Sequence, residues 1–424
     1  MHPIVKEDLE SIMTQPIDWK RFQGKRILVT GAAGFLPAYM VETLLMLNKT
    51  RGMQCQVIGL VRNLEKAKER FRHWLDVPEL TFVVADVSEG IPVSNRCDFI
   101  IHAASQASPK YYGVDPVGTM TANVLGTYHL LRRAQEWSSE GFLLFSSGDV
   151  YGQVPADRLS IDEKGYGYID ILNFRACYGE SKRAAETMLV SFLKQFGVPG
   201  VIVRPSHTYG PGMSLDDGRV FADFVRDIVN RHNITLYSDG SAIRPFCYLS
   251  DAVAGYFTAL LKGEPGQAYN VSNPNAVLSI RALAELLVSM YPELGLKVEY
   301  RNRSDGKYIP SPVAFGTPSI ERLAQLGWKP NYLPKEGFER TIKYYKNSFG
   351  LDRKVVNRCI NLAAQCKKLK IPITTFMIAS DPYLQKFVEE FTEMNNGKAY
   401  FASLDNLGSF IFNDFESGKR KTVY

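Results

Sequence analysis

The first 150 residues alternate short apolar runs with longer amphipathic stretches. Ile27 to Thr30, "CQVIGLV" (55–61), "LTFVVADV" (80–87), "CDFIIHAAS" (97–105) and "GFLLFSS" (141–147) read as buried strands, each bounded by turn signals. Between them a stretch ending near Asn48 and another from Thr119 to Trp137 carry helical periodicity. Strands alternating with helices predict a parallel sheet with crossover helices, whose ligands bind beyond the carboxyl ends of the strands. Gly31 and Gly34, Asp86, the His102–Ser105 loop and Ser146/Ser147 all fall at such ends. From Val201 the pattern is less regular: "VIVRP", a Gly/Pro loop at 210–218, a helix over 219–231, "ITLY", then "PFCYLSDAVAGYFTALL" and "AYNVS". The tail, 350–424, reads as helix (353–368), strand "PITTFMIAS", helix (381–395), strand "AYFAS" and a final helix before a basic end.

A chain of 424 residues exceeds the size at which one core stops growing, so two domains, or one large domain with an appendage, are expected. The net charge of +6 comes without an arginine/lysine run of the kind that marks a nucleic-acid tail, which suits small anionic ligands. Six cysteines stand singly, with no C-x-x-C and no histidine cluster. That pattern predicts reduced thiols in a cytoplasmic protein, without a disulfide framework or a metal site. The N-terminal 25 residues lack an apolar core, and the longest apolar runs are too short for a membrane span, so neither a signal peptide nor membrane insertion is expected.

Two features bear on a dinucleotide. Gly31-Ala-Ala-Gly34 sits between a strand and a helix, where glycine lets backbone approach a pyrophosphate at a helix N-terminus. A plain glycine-rich turn is the bland alternative. After the second strand the acid that would bind the adenosine ribose is missing and Arg62 follows, which by itself suggests a 2′-phosphate and NADP. Pro37 replaces the usual third glycine, a residue tolerated in a helix's first turn.

T-G-x-x-G (30–34), H-A-A-S (102–105), S-S-x-D-V-Y-G (146–152) and Y-x-x-x-K (178–182) occur in the order of the extended short-chain dehydrogenase/reductase superfamily, which the chain resembles over roughly 24–348. Within it, "ASQASPKYYGVDP", "TANVLGTYHLL", "RACYGESKRAAET", "YGPGMSLDDGRVFADFV" and "SDGSAIRPFCYLSD" look like UDP-glucuronate decarboxylases and neighbouring nucleotide-sugar 4-epimerases. The resemblance implies a Rossmann-type doubly wound parallel sheet (mostly 24–200) and a smaller sugar-nucleotide part (201–349). Residues 1–23 precede them as an extension, and an α/β tail (350–424) resembles the last third of a von Willebrand factor A-type domain without its D-x-S-x-S metal motif.

In that family pattern Tyr178 is the general base that oxidises a sugar hydroxyl. A free tyrosine near pKa ~10 is a poor base, and Lys182, one helical turn away on the same face, together with the positive nicotinamide, is expected to lower that pKa. Ser147 would hold the same hydroxyl. Asp149 stands where relatives carry glutamate, and serves as acid or base at C4 or C5, as a group that orients the sugar, or as a helix-starting cap. The resemblance puts NAD against Gly31, Gly34, Phe35, Leu36, Arg62, Asp86, Val87, Ala103, Ala104, Ser105 and Asn123, with Tyr178 and Lys182 at its reactive end. Ser147, His207, Arg219 and Arg244 would face the substrate, with guanidinium forks suited to phosphate or carboxylate. His207 departs from the family's asparagine, and His102 reads as structural. A homodimer is implied. The expected activity is NAD-dependent oxidation at C4 of a UDP-sugar, decarboxylation of UDP-glucuronate before all else. A 4-epimerase, a dehydratase, an NADP-dependent reductase and a dinucleotide-binding scaffold are the alternatives.

Overall fold

The computed structural model describes residues 1–154, 160–301, 317–348, 353–371, 373–377 and 382–401. Seven strands form its main sheet: β1 (Arg26–Thr30), β2 (Gln56–Val61), β3 (Leu80–Val84), β4 (Phe99–His102), β5 (Gly141–Phe145), β6 (Gly200–Pro205) and β7 (Ala268–Val271). Neighbours pair in parallel throughout, in the order β7-β6-β5-β4-β1-β2-β3. Ile27–Val29 and Phe99–Ile101 are wholly buried, as strands covered on both faces must be. The order reverses at β1, where Thr30 lies opposite Leu60 on one side and His102 on the other. A crevice for a ligand opens at that switch point.

The covering helices include α1 (Pro3–Thr14), α2 (Phe35–Arg51), α3 (Pro116–Trp137), α4 (Ala176–Phe196), α5 (Val220–Val229) and α6 (Leu249–Lys262). Local chemistry sets their ends. Asp115 caps α3 by accepting from Gly118 N at 2.9 Å, with Pro116 at the first helical position. Gly52 and Gly197 end α2 and α4 in the left-handed conformation. Leu130, Leu131 and Ala134 of α3 pack with Ala185, Leu189 and Phe192 of α4 over Phe142 and Leu144 of β5.

A second, three-stranded sheet joins His207–Tyr209, Ile243–Tyr248 and Val277–Ser279. It pairs His207 with Phe246 and Arg244 with Leu278, so both predicted substrate residues share one small platform.

Contacts divide the chain into Met1–Ile342 and Lys343–Tyr424. The first 23 residues are part of the first unit: Leu9 and Ile12 are buried, and Trp19 and Phe22 meet Phe257 and Phe99 edge-on. In the second unit, parallel strands Thr374–Met377 and Lys398–Phe401 accompany helices Arg353–Lys368 and Pro382–Asn395. Buried Asn395 knits it, donating to the carbonyls of Ala363 and Ile371 and accepting from Ile373 N at 2.7 Å. The expected final helix and a boundary at Phe349 lie outside the described residues. Among the described residues no helix is long and apolar enough to cross a membrane.

Candidate active site

β5 ends at Phe145, and a turn of 3-10 helix, Gly148–Tyr151, follows Ser146 and Ser147. Ser147 caps that turn, its Oγ accepting from Asp149 N at 3.2 Å. The capping task considered for Asp149 therefore falls to Ser147, and Asp149 lines a cavity of about 1600 Å³. α4 brings Tyr178 and Lys182 to the same cavity, one turn apart on one face. Lys182 Nζ donates to the Phe145 carbonyl at 2.7 Å and lies 5.7 Å from the Tyr178 ring centroid.

Among the protein's own groups, the electrostatics run against a lowered Tyr178. Tyr178 is pushed up to about 12, not down, because burial and the Asp149 carboxylate oppose the phenolate more than the Ser147 hydroxyl and Arg219 favour it. Lys182 is itself lowered to about 7 by burial, with Glu186 the opposing anion, so its amine is poorly placed to draw the tyrosine down. Burial also raises Asp149, against the pull of Arg219, the Ser147 hydroxyl and Arg244. His207 is lowered to about 3 by burial and by the cations Arg244 and Arg219, so it is neutral at physiological pH. Two guanidinium groups thus act on one carboxyl and one imidazole.

At the other end, Phe35, Leu36, Ala103 and Ser105 line the cavity. Gly31 has φ +63°, and a Cβ there would lie 2.9 Å from Ala104 Cα. That approach is held by Thr30, whose Oγ1 accepts from Ala103 N and Ala104 N and bonds His102 Nδ1 at 2.9 Å. His102, buried and lowered to about 3, belongs to this scaffold. Ser105 Oγ and Ser206 Oγ, on cavity-lining residues, are buried without hydrogen-bond partners. Ser105 follows β4 beside the glycine cradle and Ser206 follows β6 beside His207, and such orphans are what a polar ligand would satisfy.

Three further residues expected at the cofactor have partners within the protein. Arg62 faces Asp86 at 3.8 Å across a largely exposed pair, while Asp86 also accepts from Ser88 N and Oγ. The Val87 side chain is in the hydrophobic core. Asn123 does not line the cavity: it is buried on α3 and donates to Ser181 Oγ at 2.9 Å, and Ser181 donates to the Tyr178 carbonyl at 3.0 Å. Its reach to the site is through α4.

Arg219, His207 and Arg244 line the remaining wall. Arg219 donates to the Ala107 carbonyl at 2.9 Å and pairs with Asp217 at 3.1 Å. Sequence reasoning missed Tyr112, whose ring stacks on Tyr178, and Glu186, which is held by Arg204 at 2.9 Å and by Ser146. Glu186 stands one turn beyond Lys182, a spacing that was available as a signal.

Residues 27–272 match the NAD dependent epimerase/dehydratase family. UDP-glucuronic acid decarboxylase 6 of Arabidopsis thaliana is 30% identical over 337 residues, covering 79% of this chain and 93% of that protein. UDP-glucuronic acid decarboxylase 1 of Xenopus tropicalis is 31% identical, covering 80% and 77%. Among solved structures, UDP-glucuronic acid 4-epimerase of Bacillus cereus, in complex with UDP-glucuronic acid and NAD, superposes with a TM-score of 0.62 at 21% identity, covering 76% of this chain and all of that one. UDP-glucose 4-epimerase of Thermotoga maritima gives 0.65 at 21% identity, covering 76% and 99%. These two structures share the fold.

Proposed function

The chain belongs to the NAD dependent epimerase/dehydratase family, and from that premise we propose that it converts UDP-glucuronate to UDP-xylose by oxidation at C4, loss of CO2 and reduction at C4. It is an NAD-dependent nucleotide-sugar enzyme of the decarboxylase, epimerase and dehydratase kind. The cradle fits the dinucleotide: Gly31 and Gly34 would admit the pyrophosphate, Phe35 and Leu36 open α2 beside it, and Ser105 offers an unsatisfied hydroxyl. Bound there, NAD supplies reversible hydride acceptance.

The observation that carries the reading is that Arg219 and Arg244 line the same cavity as Ser147, Asp149, Tyr178 and Lys182. Tyr178, whose phenolate the positive nicotinamide of a bound dinucleotide would favour, takes the proton of the C4 hydroxyl, which Ser147 orients. The C4 ketone then lies β to the C6 carboxylate. The C5–C6 bond breaks, its electron pair moves to the ketone oxygen, and CO2 leaves. Tyr178 holds the proton at that oxygen, and Asp149, whose carboxyl burial raises, manages the proton that returns to C5. Arg244 holds the substrate's anion with a guanidinium fork and Arg219 supports it. Exposed Val117, Met120 and Tyr128 of α3 with Val190 of α4 support a homodimer through these helices.

Carboxyl-labelled UDP-glucuronate tests the reaction. Labelled CO2 with a pentose nucleotide is the expected result. UDP-galacturonate with its label retained would make the protein a 4-epimerase, and reaction of only neutral UDP- or dTDP-hexoses would remove glucuronate as substrate.

A further inference from the structure

The N-terminal helix sends one carboxylate into the first unit. Asp8 is fully buried. Its Oδ2 accepts from Tyr248 Oη at 2.9 Å and from Tyr39 Oη at 3.3 Å, and its Oδ1 from Arg340 Nη2 at 2.8 Å. Arg340 also donates to Glu7 at 2.9 Å and to Tyr248 Oη at 3.3 Å. A packing helix does not need such a group. Leu9, Ile12 and Met13 already bury an apolar stripe of α1, and a buried carboxylate costs several kcal/mol unless its lone pairs are satisfied.

The partners of Asp8 belong to the two ends of the cavity. Tyr39 stands one turn after Phe35 on α2, and Phe35 and Leu36 line the cofactor end. Tyr248 closes the strand Ile243–Tyr248, whose Arg244, Pro245 and Phe246 line the sugar-nucleotide end. One carboxylate therefore bonds the cofactor-side helix, one turn from its cavity-lining start, and the substrate-side strand, at its far end, at once.

We propose that Asp8 is a positioning residue through which the N-terminal helix holds α2 and the Arg244-bearing strand in mutual alignment, so that the NAD and sugar-nucleotide ends of the cavity are set together. The identity of the second ligand rests on the nucleotide-sugar reading above. The geometry of the clamp does not.

Dissociation constants for NAD and for UDP, measured on the full-length protein alongside its melting temperature, test this. Tyr39→Phe and Tyr248→Phe each remove one hydroxyl, and Asp8→Asn removes the charge at nearly constant shape. Tyr39→Phe should weaken NAD by about 2- to 10-fold, the share of one hydrogen bond, and leave UDP unchanged. Tyr248→Phe should do the reverse, and Asp8→Asn should weaken both. A merely structural fastener would not split the two ligands in this way. Lowered melting temperatures with both constants unchanged in all three variants would overturn the proposal. If Asp8→Asn does not fold, the two phenylalanine variants still decide it. Failure of the parent protein to bind UDP would defeat the nucleotide-sugar reading instead, and the NAD constants of Tyr39→Phe and Asp8→Asn would then decide the clamp.

Discussion

Tyr178 lies face to face with Tyr112, their ring centroids 5.0 Å apart and their planes 17° from parallel. Tyr112 Oη donates to the Ala107 carbonyl at 3.1 Å, the same oxygen that Arg219 holds at 2.9 Å. The ring of the proposed base is thereby tied to the arginine wall. Tyr112→Leu should lower kcat by about 2- to 10-fold, since such an aromatic pair is worth roughly 0.5–1.5 kcal/mol beyond its burial. Steady-state kinetics check this, and an unaltered kcat would show that the ring is positioned by α4 alone.

Tyr178→Phe should cut turnover by about 10²- to 10⁴-fold, the range of general acid–base catalysis, with NAD and UDP binding nearly intact. Calorimetric titration beside product assays separates the two. Activity within twofold or so of the parent would remove Tyr178 from proton transfer.

Gly31→Ala puts a Cβ where φ is +63° and Ala104 Cα is 2.9 Å away. The left-handed conformation alone costs roughly 1–2 kcal/mol, and the contact with backbone adds to it. Loss of NAD from the purified protein, read by releasing and identifying the dinucleotide, should accompany a lower melting temperature. Release of NADP from the parent protein would contradict the family's cofactor.

His102 links pH to stability. Burial lowers it to about 3, so the folded protein keeps the ring neutral while the unfolded chain protonates it near pH ~6.5. Its stabilisation is in full force above that value and declines as pH falls toward the folded pKa. Denaturant unfolding at roughly pH 7.5 and pH 5.5 should show this residue costing about 1.4 kcal/mol at the lower pH. His102→Gln should remove that share. An unchanged pH difference in the variant would place a charged ring in the fold.

Arg244→Lys keeps the charge and loses the fork. The dissociation constant of UDP-glucuronate should rise about tenfold while that of UDP changes less, because carboxylate recognition by arginine is bidentate. Equal losses for both ligands would assign Arg244 to the diphosphate.

What could be read from the sequence was local in the chain. The apolar runs became β1 to β6 with ends shifted by a few residues, because strand period and flanking turns are written in consecutive positions. The glycine turn and the Tyr178–Lys182 spacing are equally local, since i and i+4 share a helix face wherever the helix lies. Only the tertiary structure decided which distant elements meet. It turned Asn123 toward Ser181, gave Arg62 to Asp86, stacked Tyr112 on Tyr178 and drew Asp8 to Tyr39 and Tyr248. It also decided the protonation balance. Residue type and spacing suggest a tyrosine lowered by its lysine, but burial disfavours both charged forms, and it raises Tyr178 to about 12 and lowers Lys182 to about 7. Desolvation depends on everything that packs around a group, and no stretch of sequence contains that environment.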